Sequence, residues 1–277
     1  MTPLVNNPLK QYFRRPAIYL KLPSGAKMYD PGVVELTETG ELPVYPMTAI
    51  DEITTKTPDA LYNGTAMVEL IKSCVPNIKN PWEINSIDFD SILIAIKSAS
   101  GGNDLEIEST CPKCEETSSY GVNLVGLLSK IVPGDYETPL VIDDLKIKFR
   151  PLNYKEMSKA SITQLDAQRS YLTIENSKDE EEKMQKTSEA IKNITELTMG
   201  ILANTIAYIE TPNVMVTENA YILDFLRNCD KQIYISIRDH GIALRASTEI
   251  QPLEIKCVNC ENEYKQQFTL NISDFFG

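Results

Sequence analysis

Long apolar runs are missing from this 277-residue sequence. No stretch approaches the roughly 20 consecutive apolar residues that a membrane-spanning helix needs. The N-terminus, residues 1–15, also lacks the apolar segment that follows the charges of a secretory signal peptide. The sequence therefore predicts a protein with no membrane span that stays in the compartment where it is made.

Positive charge is also scarce. The sequence has 27 Lys and Arg against 39 Asp and Glu, and its formal net charge is -12. Non-specific binding to nucleic acid depends on neutralising phosphates with Lys and Arg, and an acidic chain opposes that contact. We therefore expect protein partners and no nucleic acid. Because 42% of the residues are hydrophobic, the chain can fill the core of a globular protein.

Recognisable catalytic signatures are absent from the sequence. It has one histidine, His240, which no G-x-S-x-G elbow or cysteine-plus-histidine signature accompanies. There is no P-loop, no dinucleotide-binding G-x-G-x-x-G and no H-E-x-x-H. We expect that the protein is not an enzyme and that His240 is exposed or caps a helix end. The alternative that scattered carboxylates form a catalytic pair, which the sequence would not reveal, stays open.

Cysteine is the residue type that points to a specific site. Four of the six cysteines form two C-x-x-C pairs, Cys111 with Cys114 and Cys257 with Cys260. Such a knuckle places two thiolates on one tight turn, so two knuckles supply the four sulfur ligands of a tetrahedral zinc site. With four protein ligands the metal has no open position for a water molecule. The sequence therefore predicts one structural Zn²⁺ that ties the middle of the chain to its end.

Other uses of these cysteines stay open. A redox C-x-x-C of the thioredoxin type would begin a helix after a strand, whereas strand-like sequence lies on both sides of each pair here. Two disulfides fit poorly with the reducing cytoplasm that this cysteine usage favours. Two unrelated knuckles, each without a metal partner, are a third alternative. Cys74 and Cys229 lie on apolar helix faces and are expected in the core.

The sequence on either side of the first knuckle is repeated around the second. Residues 105–107 and 120–124 read as strands that flank the first knuckle, and residues 253–255 and 268–270 flank the second in the same way. The knuckles of a contiguous four-cysteine site are separated by roughly 15 to 20 residues, far fewer than the separation here. The pattern predicts a zinc ribbon that is split by a long insertion.

The remaining periodicities complete an α+β organisation. Its five expected parts are an N-terminal arm with strands (1–46), a small helical unit (47–103), the first zinc-ribbon half (104–130), a hairpin with a mainly helical insertion (131–250) and the second zinc-ribbon half (251–277).

For two predicted helices, the sequence also indicates the residues at which they begin or end. In the helical unit, Asp88 is read as the cap of a helix that ends at the glycine pair 101–102. Apolar residues recur every three or four positions from Met184 to Ile209, which predicts one long amphipathic helix ended by Pro212.

Three shorter segments have less specific patterns. The charged stretch 177–186 is typical of a solvated helix face or an exposed loop. Isoleucines alternate over residues 233–237 as in a strand, but the capping residue Asp230 favours a helix. Trp82 is expected to anchor the helical unit or an interface.

Several sequence blocks resemble a known family. They are Lys21-Leu22-Pro23-Ser24-Gly25, Val44-Tyr45-Pro46-Met47-Thr48-Ala49-Ile50-Asp51-Glu52, Pro58-Asp59-Ala60-Leu61-Tyr62-Asn63-Gly64, Cys74-Val75-Pro76 and Cys111-Pro112-Lys113-Cys114. Together and in this order they resemble the baseplate hub family of T-even-like contractile-tailed bacteriophages. The resemblance runs through most of the chain and is densest over residues 20–115.

The resemblance implies a role without enzymatic activity. Members of the family are described as baseplate proteins or hub-assembly factors. It therefore implies a structural or assembly component of the virion tail baseplate, assembled in the host cytoplasm, whose partners are other baseplate hub or tail proteins. The N-terminal arm would suit a position along a neighbouring subunit, and an ordinary edge strand or frayed terminus is the alternative.

The chain departs from the family at both knuckles. In the family, the second cysteine of the knuckle is commonly followed by Gly, which adopts the positive φ of the turn more easily than other residues do. In this sequence Glu115 and Glu261 stand at those positions.

A zinc-ribbon adaptor for nucleic acid, or for a transcription or replication complex, is the alternative function. A ribbon that grips phosphates should carry Lys and Arg around its knuckles. Here the basic residues Lys113, Lys256 and Lys265 are outnumbered by glutamates. These are Glu106, Glu108, Glu115, Glu116, Glu254, Glu261 and Glu263. The sequence therefore favours protein contacts over contacts with phosphates.

Overall fold

The computed structural model describes residues 7–175, 180–268 and 270, and it confirms the α+β class. The helices in this part are α1 Ala49–Thr55, α2 Pro58–Tyr62, α3 Thr65–Cys74, α4 Ser86–Gly101, α5 Leu124–Leu128, α6 Tyr154–Glu175, α7 Glu180–Asn204, α8 Asn219–Asn228 and α9 Lys231–Thr248. The strands are β1 Ile18–Leu20, β2 Leu42–Val44, β3 Asp104–Thr110, β4 Thr117–Asn123, β5 Leu140–Ile142, β6 Leu145–Phe149, β7 Ile206–Glu210, β8 Met215–Val216, β9 Leu253–Lys256 and β10 Glu263–Gln266. Short 3₁₀ turns lie at Pro8–Tyr12 and Pro81–Glu83.

All strand pairs in the described residues are antiparallel. Three sheets have two strands each, β1–β2, β3–β4 and β9–β10, and the strands β5-β6-β7-β8 form a four-stranded sheet in that order. No helix in these residues is long and apolar enough to cross a membrane.

The larger hydrophobic core surrounds α4. This helix buries residues on all sides, among them Ile92, Ile94 and Ile96, because α3, α5, α6 and the β1–β2 sheet pack around it. α3 contributes six buried residues, and Cys74 is one of them, as expected. Leu124 and Leu127 of α5 also enter this core, so the strand that precedes α5 is anchored to it.

A second core lies between the four-stranded sheet and the C-terminal helices. Ile147 and Phe149 of β6 and Ile209 of β7 face Ile222 of α8 and Ile237 of α9. The structure does not test the predicted five-part division of the chain, which stays a prediction.

The prediction of one helix from Met184 to Ile209 is wrong at its C-terminal end. α7 ends at Asn204, and the segment that follows is β7, which pairs with β6 in the centre of the sheet. Ile206 and Ile209 are both buried although they are three residues apart, because the pairing register shifts beside Phe149. That irregularity produced a helix-like spacing in a strand.

Asp88 is not the cap of α4, as the sequence suggested. Asn85 caps the helix, and its Oδ1 accepts from the amide of Asp88 at 3.0 Å. The Asp88 carboxylate is buried and accepts hydrogen bonds from the Ser24 amide at 2.9 Å, the Tyr29 hydroxyl at 2.6 Å and the Ser24 hydroxyl. Burial raises the pKa of Asp88, and these hydrogen bonds oppose that rise. Asp88 therefore ties an N-terminal loop to α4.

Three other predictions have clear outcomes. The helix over residues 233–237 is confirmed, and Asp230 caps it by accepting from the Gln232 amide at 2.8 Å. Trp82 stacks on Tyr154 at 5.5 Å beside the larger core. His240 lies inside α9 and is half-buried, so the expectation of an exposed or capping residue is wrong.

Of the charged stretch 177–186, residues 177–179 lie outside the described residues, and the rest belongs to α7.

Candidate metal centre

The four cysteines of the predicted site lie together. Their sulfur atoms are all within 4.8 Å of one another, although the two knuckles are far apart in sequence. The Sγ atoms of Cys111 and Cys260 are 3.7 Å apart, and so are those of Cys114 and Cys257. All four are free thiols, so no disulfide occupies the site. This arrangement contradicts the alternative of two separate knuckles.

The distances between the sulfur atoms fit a tetrahedral metal ion. A Zn–S bond of about 2.3 Å in a regular tetrahedron places neighbouring sulfur atoms about 3.8 Å apart. The two shortest cross-knuckle distances are 3.7 Å, close to that value. The four cysteines can therefore hold one metal ion without a large rearrangement.

The two knuckles have the same backbone hydrogen bonds. In the first, the Glu115 amide donates to the Cys111 carbonyl and the Cys111 amide donates to the Glu116 carbonyl, both at 2.9 Å. The second knuckle repeats these bonds at the equivalent positions, at 3.0 and 2.9 Å. The short C-x-x-C sequence thus builds the same turn twice in different surroundings.

Both turns require a residue with positive φ directly after the second cysteine. Glu115 has φ 60° and Glu261 has φ 57°, in the left-handed region that glycine adopts without cost. For a residue with a Cβ this conformation costs about 1 kcal/mol. The turn therefore favours glycine at this position, and this chain forms it with glutamate instead.

Hydrogen-bond donors surround the sulfur atoms. The Lys113 amide donates to Cys111 Sγ at 3.5 Å, and the side-chain amide of Asn262 approaches the same sulfur at 3.9 Å. The side-chain amide of Asn259 approaches Cys114 Sγ at 3.9 Å. These donors stabilise thiolate, which is the form that binds metals.

The pKa of Cys111 reflects these contacts. Burial raises the pKa of its thiol, but the backbone amides of Cys114 and Lys113 outweigh that effect, with smaller contributions from neighbouring sulfurs. Together they lower the pKa to about 6. Cys111 is therefore prepared to be a thiolate near neutral pH.

In the second knuckle, the pKa of one thiol is lowered and that of the other is raised. The backbone amides of Cys260 and Asn259 lower the pKa of Cys257. The Asn262 amide also lowers the pKa of Cys260, but burial and hydrogen bonds to the other three sulfurs outweigh it and raise that pKa to about 12. Four close sulfurs cannot all ionise without a cation, so a metal ion would have to displace the remaining protons.

Side chains outside the knuckles also join the two halves. Ser109 is buried on β3, and its hydroxyl is 2.8 Å from Gln266 Oε1 and 2.9 Å from the Tyr264 hydroxyl, both on β10. Sequence reasoning did not find these three residues. The available signal was that each lies on the inward-facing position of an alternating strand.

The returning strands begin earlier than the sequence suggested. β4 starts at Thr117 and β10 at Glu263, in each case three residues after the second cysteine. The knuckle turn fixes this register, because it brings the residues on its two sides directly opposite each other. The predicted strand 268–270 is therefore wrong for Phe268 and Leu270, which follow β10, and Thr269 lies outside the described residues.

The surface around the site is acidic. All seven glutamates named above for this region are exposed, and one of its three lysines, Lys256, lies 3.7 Å from Glu261. Such a surface repels phosphates, so it gives no support to the nucleic-acid alternative.

Comparison with known proteins points to one family. A family model described as T4 bacteriophage base plate protein matches residues 20–277. No curated protein and no solved structure matches the chain. Because the family model covers nearly the whole sequence, the chain belongs to the family of T4 bacteriophage base plate proteins.

Proposed function

We propose that this protein is a structural or assembly component of the baseplate hub, in which one Zn²⁺ held by Cys111, Cys114, Cys257 and Cys260 fastens the C-terminal hairpin to the body. A base plate protein has its place in the phage tail baseplate and associates with other tail proteins. The observation that carries the zinc proposal is the approach of four sulfur atoms from two knuckles to within 4.8 Å of one another.

The proposed role of the metal is structural. Four cysteine ligands complete the tetrahedral shell of zinc, so no position is left for a substrate or an activated water. Metal binding in such sites contributes on the order of 10 kcal/mol to folding. That free energy would act on a hairpin of only four residue pairs, β9 with β10. The protein would then contribute contacts to the baseplate rather than catalysis.

Metal analysis of the purified protein tests the zinc proposal. We expect about one zinc per chain, the stoichiometry of a four-cysteine site. Cys111→Ser and Cys257→Ser should each lose it, because either change removes one ligand. Cys229→Ser is the matched control, since Cys229 is a free, partly buried cysteine outside the cluster. Metal-free wild-type protein, or equal zinc loss in the control, would refute the proposal.

Phage assembly tests the hub proposal separately. Infection with phage in which this gene is disrupted should produce particles without functional tails, and wild-type protein supplied in trans should restore them. If the metal site is needed for this role, Cys257→Ser protein should restore far fewer particles than Cys229→Ser protein. Intact, normally contracting tails in the absence of the protein would contradict a role in the hub.

A further inference from the structure

An N-terminal segment of the described chain contributes nothing to either core. This segment, residues 8–15, is called the arm below. Its 3₁₀ turn Pro8–Tyr12 has no buried residue and is held by the side chain of Asn7, which accepts from the Leu9 amide at 2.9 Å. The arm therefore owes its shape to local hydrogen bonds.

The root of the arm is fixed to the body by Arg14. Its guanidinium donates to the Pro46 carbonyl at 2.5 Å, to the carbonyl and hydroxyl oxygens of Ser73 at 2.8 Å each and to the Asp51 carboxylate at 3.3 Å. It also lies over the ring of Tyr45, 5.9 Å from the centroid. The arm thus leaves the body at a defined place, beside α1.

Large apolar side chains are exposed on the arm and beside its root. Their exposed fractions range from 57% to 76%. They are Leu9, Tyr12 and Phe13 on the arm, Tyr19 on β1, and Ile50 and Ile53 on α1. Grouped exposure of this kind is unfavourable in water and marks surfaces that contact another protein.

The arm belongs to a basic stretch of the sequence that contains no acidic residue. Residues 1–29 contain five Lys and Arg and no Asp or Glu, so the other 22 basic residues share the rest of the chain with all 39 acidic ones. The side chains of Lys10, Arg15, Lys21 and Lys27 are exposed and form no ion pair within the described residues. A partner of the arm should therefore be acidic, and the remainder of this same chain is.

The β3–β4 hairpin presents a matching face. Every second residue of β3 is exposed, which places three carboxylates on one side of the strand, those of Asp104, Glu106 and Glu108. Glu106 and Glu108 form no ion pair in the described part of the chain. The residues opposite these three on β4 are uncharged: Asn123, Gly121 and Ser119. The small residues at 121 and 119 leave space on this face for aromatic rings.

We propose that the arm of one chain docks on this acidic face of the β3–β4 hairpin in a second copy of the chain. Lys10 and Arg15 would face the carboxylates of Glu106 and Glu108, and Tyr12 and Phe13 would cover the strip along β4. Each copy carries both surfaces, so the contact can be exchanged within a dimer or continue around a closed ring. This self-association goes beyond the proposed function, because it requires neither the metal ion nor another tail protein.

Sedimentation of the purified full-length chain tests the proposal. We expect concentration-dependent oligomers that dissociate at high salt, because exposed charge pairs are screened. The double variant Tyr12→Ser with Phe13→Ser should weaken association by about tenfold or more, as expected for aromatic anchors. Tyr221→Ser with Ile242→Ser is the control: these side chains are similarly exposed, 67% and 60%, but lie on α8 and α9. The control should associate like the wild type.

A charge exchange tests the docking face itself. Lys10→Glu with Arg15→Glu should weaken association, and Glu106→Lys with Glu108→Lys should weaken it similarly. An equimolar mixture of the two double variants should associate again, because the reversed arm of one can bind the reversed face of the other. Lys130→Glu with Lys231→Glu changes two exposed cations elsewhere and should have little effect.

Three results would overturn the proposal. They are a monomer at every concentration, oligomers that are insensitive to the arm substitutions, and exchanged charges that do not restore association in the mixture. If the chain is monomeric, the partner of the arm would have to be a different tail protein. None of these results bears on the zinc content or on tail formation, so this proposal and the proposed function can fail independently.

Discussion

The two cysteine hairpins, β3–β4 and β9–β10, have the same type of turn and differ in nearly everything that supports it. Each knuckle has the same pair of backbone hydrogen bonds and the same left-handed residue after its second cysteine. The first hairpin, however, has seven residue pairs, and its second strand continues into α5, which is anchored in the larger core. The second hairpin has four pairs and one buried apolar residue within its strands, Ile255, with Phe268 buried just after β10.

This difference indicates where the proposed metal ion would stabilise the protein most. Knuckle geometry is local, because a few residues and their hydrogen bonds determine it. The attachment of each hairpin depends on its length and on the apolar surface it buries, because short two-stranded sheets are marginal by themselves. We therefore expect the first half to persist without metal and the second half to depend on it.

Removal of the metal ion by a chelator should produce the largest difference between the two hairpins. When a strong chelator is added to the purified protein, amide hydrogen exchange should rise sharply in β9 and β10 and change far less in β3 and β4. The physical reason is the unequal anchoring of the two hairpins. Exchange measured by mass spectrometry resolves the two regions. Equal loss of protection in both, or no loss in either, would show that the halves do not differ as proposed.

Removal of the side-chain link between the halves should have an intermediate effect. Ser109→Ala deletes a buried hydroxyl that bonds to Tyr264 and Gln266 of the other half. We expect a loss of about 1 to 2 kcal/mol in the free energy of unfolding, the usual range for such bonds. Denaturant unfolding measures it. Ser119→Ala is the control, because that residue lies on the exposed face of β4. A similar loss in both variants would argue against a specific link.

Replacing the residues of positive φ by glycine should have the smallest effect. It should raise the stability of the protein, whereas the two changes above lower it. Glu115→Gly and Glu261→Gly should each stabilise the protein by about 0.5 to 1 kcal/mol, because glycine adopts this φ without steric strain. Glu115→Ala and Glu261→Ala remove the same carboxylates but keep a Cβ, so they should bring no such gain. Thermal unfolding of the four variants compares the knuckles directly. Equal melting temperatures for Gly and Ala would show that the turns are not strained.

Predictions from the sequence succeeded where a short pattern has one physical solution. The C-x-x-C spacing identified all four residues of the sulfur cluster, and the repeated flanking strands indicated that the knuckles belong together. The α+β class and the cap of α9 at Asp230 also follow from local patterns. Apart from that repeat, the residues that decide each outcome are neighbours along the chain.

Predictions failed where the same spacing fits two structures. Ile206 and Ile209 have the spacing of a helix, and only the partner strand β6 makes them part of a sheet. Asp88 has the side chain of a cap, but contacts with Ser24 and Tyr29, more than fifty residues earlier, make it a buried carboxylate. Neither outcome can be read from a local window.

By itself the sequence determined the two knuckle turns, the identity of the four sulfur residues and the excess of negative charge, because each depends on residue type and short spacing. Only the tertiary structure decided how closely the four sulfur atoms approach one another, that Ser109 joins the two hairpins, and that the arm is held by Arg14 with its aromatic residues in water. Those features depend on contacts between distant parts of the chain, which form because burying apolar surface brings whole elements together.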